Sequence, residues 1–462
     1  MIIKVSNNLT VENPTKEISK WAKNNLTIPN PEYSKKARMG FWIGNTPKTL
    51  ALYEIRGDEL YLPFGTLSML PNEITKETVF ESKFALINEV DFGGDVSLYD
   101  YQEVALNELV RAKFGILQSP AGSGKTQIGI ALVTKLKRKT LWLCHTLDLI
   151  NQSRERAEKY INKKLIGTIS EGKVNIGKGI TFATIQTMSN LDLAQYKNEW
   201  DCIIVDEVHR VAGSPTTMTM YQKVLSSLAA RNKYGLSATI HRSDGMIKAT
   251  FSLIGKVVYE VPREAVADKI MRVAINPIST SVEISREALN TDGTLNFTKL
   301  ISYLTDNDQR NDLIHHTLCD NRQYSSLILS DRLEHLSRMI SVLPPTMRDK
   351  AVLISGKMTS KKGKAEREQA IEDMRTGKKK YLFATYSLAK EGLDIPRLER
   401  LYLTTPQKDY AVIAQSIGRI ARTFEGKEEP ICYDFVDNIG WCVKAYKKRC
   451  TTYKKIGCYF KK

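Results

Sequence analysis

The sequence predicts an α/β protein in which two tandem parallel-sheet domains follow a small β-rich N-terminal domain. Three observations predict it. From about residue 114, short apolar runs rich in β-branched residues alternate with longer helical stretches. The alternation fades between 262 and 305, which read as mixed, and then restarts. The first 95 residues instead hold Pro, Gly and aromatic residues among short alternating runs. Continuous apolar strands separated by helices are the mark of parallel sheet buried on both faces. At 462 residues the chain also exceeds one ordinary domain.

Taken in order, residues 1–95 form an accessory β-rich domain, with strands expected in TLALYEI (49–55) and ELYLPFG (59–65). Residues 96–262 form the first α/β domain, carrying FGILQS (114–119), TLWLCHT (140–146), ITFATI (180–185), CIIVDE (202–207) and YGLSAT (234–239). Residues 263–437 form the second, with SLILS (326–330), AVLIS (351–355), KYLFAT (380–385), RLYLTT (400–405) and ICYDFVD (431–437). Residues 438–462 read as a basic tail.

Charge narrows the partner class. Sixty-eight Lys and Arg against 51 Asp and Glu give +17, and such an excess favours a polyanion, because each phosphate neutralised releases condensed counterions. Seven cysteines contain no CxxC pair, and the spacing of Cys432, Cys442, Cys450 and Cys458 matches no common zinc pattern. Unpaired thiols of a reducing compartment are the reading. The N-terminus lacks a secretory h-region, and no stretch approaches the ~20 apolar residues of a membrane span. The expectation is a cytoplasmic protein of a bacterium or phage-infected cell, monomeric, with no membrane partner.

Ser-Pro-Ala-Gly-Ser-Gly-Lys-Thr at 119–126 follows an apolar strand and opens a helix, the context that distinguishes a P-loop from a chance match. Gly122, Ser123 and Gly124 supply backbone N–H groups at a helix N-terminus that favours anions. Lys125 reaches the β- and γ-phosphates, and the Thr126 hydroxyl ligates magnesium. Ser119 stands where Gly is usual. The strand Cys202–Val205 runs into Asp206 and Glu207, adjacent carboxylates that a core does not tolerate unpaired. Asp206 is placed to hold magnesium and Glu207 to polarise water. The cofactors expected are therefore ATP and Mg2+. His209 suits a sensor joining the nucleotide site to Ser237-Ala238-Thr239 better than a metal ligand.

With these pieces assembled, the sequence resembles the superfamily 2 helicases, in their DEAH/DEVH-box region and in the phage-type UvsW-like and XPB-like fork-remodelling branch. Motif I is SPAGSGKT, motif II DEVH and motif III SAT. LCHTLDLINQ (143–152) is similar to motif Ia, and FATIQTM (182–188) to the phosphate-contacting motif after it. LILSDRLEHL (327–336), ATYSLAKEGLDIP (384–396) and QSIGRIAR (415–422) correspond to motifs IV, V and VI. The resemblance implies two RecA-like domains and an adenine contact from Gln102. It implies backbone-phosphate contacts from Thr184, Gln186 and Thr385, and nucleotide-facing positions for Gly392 and Asp394. It also makes Gln415, Arg419 and Arg422 catalytic, the two arginines as fingers on the γ-phosphate across a cleft that ATP closes. Spacing alone puts those three residues on one helical face, where Gly418, costing about 1 kcal/mol relative to Ala, signals a close approach. A solvated basic stripe is the plainer alternative. Two departures stand out: Ile240 follows SAT where Pro is commoner, ahead of an RxDG-like HRSDG (241–245), and the Arg usual upstream of Gln102 is absent.

Residues 30–65 resemble the N-terminal module of the UvsW-like enzymes. Lys35, Lys36 and Arg38 approach Phe41 and Trp42, an interleaving that suits phosphate gripping and base stacking. Phe41 and Trp42 suit the core of a small β-domain equally well. Deleting residues 1–95 should then abolish fork remodelling and spare much of the DNA-stimulated ATPase. Lys444, Lys447, Lys448, Arg449, Lys454, Lys455, Lys461 and Lys462, with Tyr446, Tyr453, Tyr459 and Phe460, form either a phosphate-tracking strip or a solubilising helix. A basic loop holding Lys357, Lys361, Lys362 and Lys364 is a further backbone contact or a solvated surface. His315, His316 and Asp320 lack a metal-site pattern. The function implied is an ATP-dependent DNA helicase or translocase that unwinds or branch-migrates forked and junction DNA in replication, recombination or repair. An RNA helicase, or the motor subunit of a restriction or nuclease complex, are the alternatives.

Overall fold

Alternation of apolar and polar residues builds the first sheet of the computed structural model, which describes residues 1–85, 89–212, 215–240, 246–356, 358, 360–389 and 393–461, the side chains of 38, 215, 361 and 389 excepted. Its five strands run Glu54–Arg56, Glu59–Pro63, Asn8–Glu12, Ile2–Val5 and Val79–Ser82 from edge to edge. Ile3, Val5, Leu9, Val11, Leu60 and Leu62 are buried on one face, as period-2 geometry requires. The N-terminal region is less purely β than expected, since helices Lys16–Asn25 and Pro31–Arg38 belong to it.

The chain divides into two compact units, one of Met1–Pro120 with Gly124–Pro262, the other of Ala121–Ser123 with Arg263–Lys462. Within the first, the N-terminal sheet shares its core with the α/β layer behind it. Ala212, Met218, Met246 and Ala249 join the cluster of Ile3, Leu9, Leu60 and Leu62. Met218 lies on helix Pro215–Ser227 and Ala249 on helix Ile247–Ile254, which follow the DEVH and SAT segments. Lys233 is buried at this junction. Its Nζ donates to the carbonyls of Leu225 at 2.7 Å and Asn7 at 3.2 Å, and sits 4.8 Å from the centroid of the Phe64 ring. Burial pushes its pKa down to about 7.

The main sheet of the first unit has eight strands. From edge to edge they are Lys173–Asn175, Ile166–Ser170, Ile180–Thr184, Thr140–Cys144, Cys202–Asp206, Asn232–Ser237, Phe114–Gln118 and Val257–Glu260. All pair in parallel except Lys173–Asn175, which turns back on Ile166–Ser170. The five apolar runs supply the five middle strands from Ile180–Thr184 to Phe114–Gln118.

The second unit holds a seven-stranded sheet whose neighbours all pair in parallel: Ala351–Ile354, Tyr381–Thr385, Ser326–Ser330, Arg400–Leu403, Ile431–Asp437, Ala274–Thr280 and Tyr459–Phe460. Two expectations change here. The mixed stretch 262–305 contains a full strand, Ala274–Thr280, whose apolar run Asn276 and Pro277 interrupt. Its outer neighbour reaches only Ala274 and Ile275, so from Pro277 onward it is an edge, where proline is tolerated. The basic C-terminal stretch is not an appended tail. It forms helix Gly440–Lys455 and a strand that joins the sheet. Arg449 is buried and forks onto Asp434 with two bonds of 2.8 Å, and the Tyr453 hydroxyl donates to the same carboxylate at 2.7 Å. These two residues leave the proposed basic strip for the core.

Candidate nucleotide site and nucleic-acid surface

A parallel sheet with crossover helices gathers its strand C-termini along one edge, where ligands bind such folds. The motif residues lie there. Phe114–Gln118 runs into the loop that opens helix Lys125–Leu136. Gly122 (φ +86°) and Gly124 (φ +80°) take the left-handed backbone that side chains avoid. A Cβ on Gly124 would also come within 2.5 Å of the Gln102 amide nitrogen. Ser119 does not adopt that backbone, so a serine is accommodated where glycine is usual. Its N–H donates to the Ser237 carbonyl at 2.9 Å, tying the loop to the SAT strand. Gln102 is buried in the first turn of helix Asp100–Ala112, its Oε1 accepting the Tyr99 N–H at 3.0 Å.

Asp206 ends its strand 5% exposed. Its Oδ1 accepts the Glu207 N–H at 2.9 Å and its Oδ2 the Ser153 hydroxyl at 3.4 Å. Burial, and next the Glu207 charge, push the Asp206 pKa up to about 6, against the pull of Lys125. Glu207 sits at φ +48°, a strained conformation for a non-glycine residue of the kind found at functional sites. His209 Nδ1 lies 3.0 Å from Ser237 Oγ and 3.3 Å from Glu207 Oε2. The Ser237 hydroxyl spends its proton on the Thr239 carbonyl at 2.7 Å, so Nδ1 carries the hydrogen of the His209–Ser237 bond. Motifs II and III are thereby joined through His209, the geometry its sensor reading requires. Ser153, and the Cys144 thiol that bonds to it, were not singled out from sequence. An isolated serine on helix Leu147–Ala157 carries no signal until the fold sets it behind Asp206.

These residues fit ATP with magnesium. Gly122 and Gly124 hold the left-handed backbone of a phosphate cradle, Lys125 is near enough to Asp206 to draw its pKa down, and Thr126 and Asp206 offer the hard oxygen donors magnesium prefers.

The positions expected to meet nucleic acid fall in three places: Thr184 and Gln186, Thr385, and the N-terminal helix and turn that carry Lys35, Arg38 and Trp42. Thr184 ends the strand beside Thr140–Cys144 and is buried, its hydroxyl donating to Thr187 Oγ1 at 2.9 Å. The Gln186 amide donates to the His145 carbonyl at 2.9 Å, tying two adjacent turns together. In the second unit, Thr385 ends its strand with its hydroxyl 2.8 Å from Ser387 Oγ. Gln415 and Arg419 lie on helix Tyr410–Ile420, but that helix is capped at Ala421. Arg422 is therefore not on the shared helical face that spacing suggested. It forms a bridge with Ile270 and an ion pair with Asp394, while Arg419 donates to the Leu393 carbonyl at 3.0 Å. Motifs V and VI thus meet. Gly392, the segment 241–245, Lys357 and Lys462 lie outside the described residues, as do the side chains of Arg38 and Lys361.

Phe41 and Trp42 are 57% and 88% exposed, so they are not the core of a small β-domain. Lys35 is exposed beside them on helix Pro31–Arg38. Lys362 and Lys364 stand on helix Lys361–Thr376 rather than a loop. His315, His316 and Asp320 share helix Asp308–Asp320, and among the described residues no cluster of three His, Cys, Asp or Glu side chains is arranged to hold a metal. All seven cysteines are free. Among the described residues no helix is long and apolar enough to cross a membrane.

Residues 95–242 match the family described as type III restriction enzyme, res subunit, and residues 308–424 match the helicase conserved C-terminal domain. The chain belongs to the superfamily 2 helicases. This helicase is 27% identical over 402 residues to an Acanthamoeba polyphaga mimivirus protein provisionally described as an ATP-dependent RNA helicase, covering 84% of this chain and 72% of that one. It is 31% identical over 197 residues to the DNA 3'-5' translocase XPB2 of Sulfurisphaera tokodaii, covering 43% of this chain and 42% of the relative, which relates it to the XPB-like type. The solved structure of S. cerevisiae Dbp5 bound to RNA and ADP BeF3 superposes with a TM-score of 0.56 at 17% identity, covering 78% of this chain and 89% of that one. The helicase thus has the tandem RecA-like fold.

Proposed function

We propose that this helicase is an ATP-dependent DNA helicase or translocase that acts on forked and junction DNA in replication, recombination or repair. The observation that carries the ATPase reading is the buried Asp206 and strained Glu207 beside Lys125, joined through His209 to Ser237. Bound ATP with magnesium supplies the free energy that the chain converts to movement. The N–H groups of Gly122, Ser123 and Gly124, with Lys125, hold phosphate, and Gln102 abuts the cradle on the adenine side. Thr126 and Asp206 hold the metal, and Glu207 orients water for attack. Gln415, Arg419 and Arg422 offset the charge that develops on the γ-phosphate, as arginine fingers do. Arg422 would first have to leave Asp394, which with Gly392, two positions earlier in the sequence, would then face the nucleotide. Thr184, Gln186, Thr385, Lys35, Arg38 and Trp42 contact the nucleic acid.

DNA is favoured by the XPB2 relative's description as a DNA translocase; the +17 charge fits any nucleic acid. RNA is the second reading, because the mimivirus relative is described as an RNA helicase. Measuring ATP turnover and unwinding with single strands, forks, Holliday junctions and RNA duplexes decides between them. Forked DNA should stimulate most. Stimulation by RNA alone would overturn the DNA reading, and stimulation by no polymer would overturn the motor.

A further inference from the structure

Exposed aromatic rings are costly unless something covers them. Trp42 is the most exposed large hydrophobic side chain among the described residues, at 88%, and Phe41 and Met39 lie within three positions of it. The turn that displays them is braced at both ends. Helix Pro31–Arg38 closes in a Schellman arrangement: the Phe41 N–H donates to the Lys36 carbonyl at 2.9 Å and the Gly40 N–H to Ala37 at 3.4 Å, with Gly40 at φ +65°. On the far side the Thr46 N–H donates to the Ile43 carbonyl at 3.1 Å across Gly44, at φ +52°. Lys36 Nζ then bonds Thr46 Oγ1 at 2.8 Å, and the Asn30 amide donates to the Pro47 carbonyl at 2.8 Å. The Trp42 ring rests against the Gly44 backbone, where a Cβ would come within 2.8 Å of it. One side of the ring is supported and the rest is offered to solvent, with exposed Lys35 and Lys48 nearby. Glu32, the acidic residue of the same helix, is paired with Lys36 at 2.9 Å.

We infer that the 39–48 turn is a base-stacking pin, on which Trp42 caps the last base pair where duplex meets single strand. This rests on the reading that the protein acts on branched nucleic acid, and it deepens that reading by assigning strand separation to a fixed ring. A braced aromatic beside exposed lysines suits a base flanked by phosphates better than an apolar protein groove, because every base offers a π-face.

The test uses the full chain without ATP and a DNA fork with 2-aminopurine in the junction pair, beside the same fork in RNA. Wild type should change the 2-aminopurine signal on binding. Trp42→Ala should lose that change and weaken fork binding roughly 5- to 100-fold, while Trp42→Phe retains most of both. Their melting temperatures should match, since the ring buries so little. An unchanged signal and affinity in Trp42→Ala would overturn the pin, and so would a wild-type dimer that Trp42→Ala dissolves, because the ring would then cover a second copy. A wild type that binds no fork at all would overturn the helicase reading instead.

Discussion

Glu207 holds a left-handed backbone with its carboxylate 3.3 Å from His209 Nδ1, and that placement has a measurable consequence. Glu207→Gln should keep the shape and lose the base, lowering ATP turnover roughly a hundred- to ten-thousandfold while nucleotide binding, read by a fluorescent ATP analogue, persists. Equal turnover would remove Glu207 from the chemistry. Lys233 gives a pH signature. Folded, it releases its proton near 7, against 10.5 for an ordinary lysine. Between those values the unfolded chain binds more protons, so this residue's contribution to stability rises with pH. Denaturant melts of wild type against Lys233→Met should diverge in favour of wild type from pH 7 to 10, by at most about 1.4 kcal/mol per pH unit. A difference that ignores pH would mean Lys233 stays charged, as its two carbonyl partners and the Phe64 ring would favour. At this scale the sequence was most legible where chemistry restricts the residue type, as at Lys125, Thr126 and Asp206. It was silent at Ser153 and misleading at Arg422, because seven-residue spacing says nothing about where a helix stops.

Strands were legible wherever both faces are buried, because each is then a continuous apolar run, as Cys202–Asp206 and Ser326–Ser330 are. Ile166–Ser170 and Ala274–Thr280 escaped notice, since Gly167, Thr168 and Pro277 break the pattern where one side of the sheet is thinly covered. The C-terminal helix was misjudged for a different reason. Its six basic residues look alike in sequence, yet Arg449 alone among them is buried, on an aspartate 15 positions earlier. Arg449→Ala should therefore cost about 3–5 kcal/mol by stranding Asp434, while Lys454→Ala, an exposed change one turn later, should fall within about 0.5 kcal/mol. Equal effects in thermal melts would return the helix to the surface strip.

At the scale of the molecule, the N-terminal sheet is part of the core that lies behind motifs II and III. Removing residues 1–95 would bare Met218, Met246 and Ala249 and strip Lys233 of the Asn7 carbonyl and the Phe64 ring. The truncated chain should aggregate or lose ATPase altogether, contrary to the removable accessory that the sequence suggested. A soluble 96–462 fragment with wild-type turnover would refute this. Point changes at Lys35 or Trp42 are thus the sounder probes of the N-terminal surface. The central claim is that hydrolysis at the Lys125–Asp206–Glu207 site is driven by nucleic acid. Steady-state ATP turnover of the full chain, with and without forked DNA and in wild type and Lys125→Ala, tests it most directly. The prediction is strong stimulation in wild type and none above background in Lys125→Ala; turnover indifferent to nucleic acid, or surviving the loss of Lys125, would contradict it.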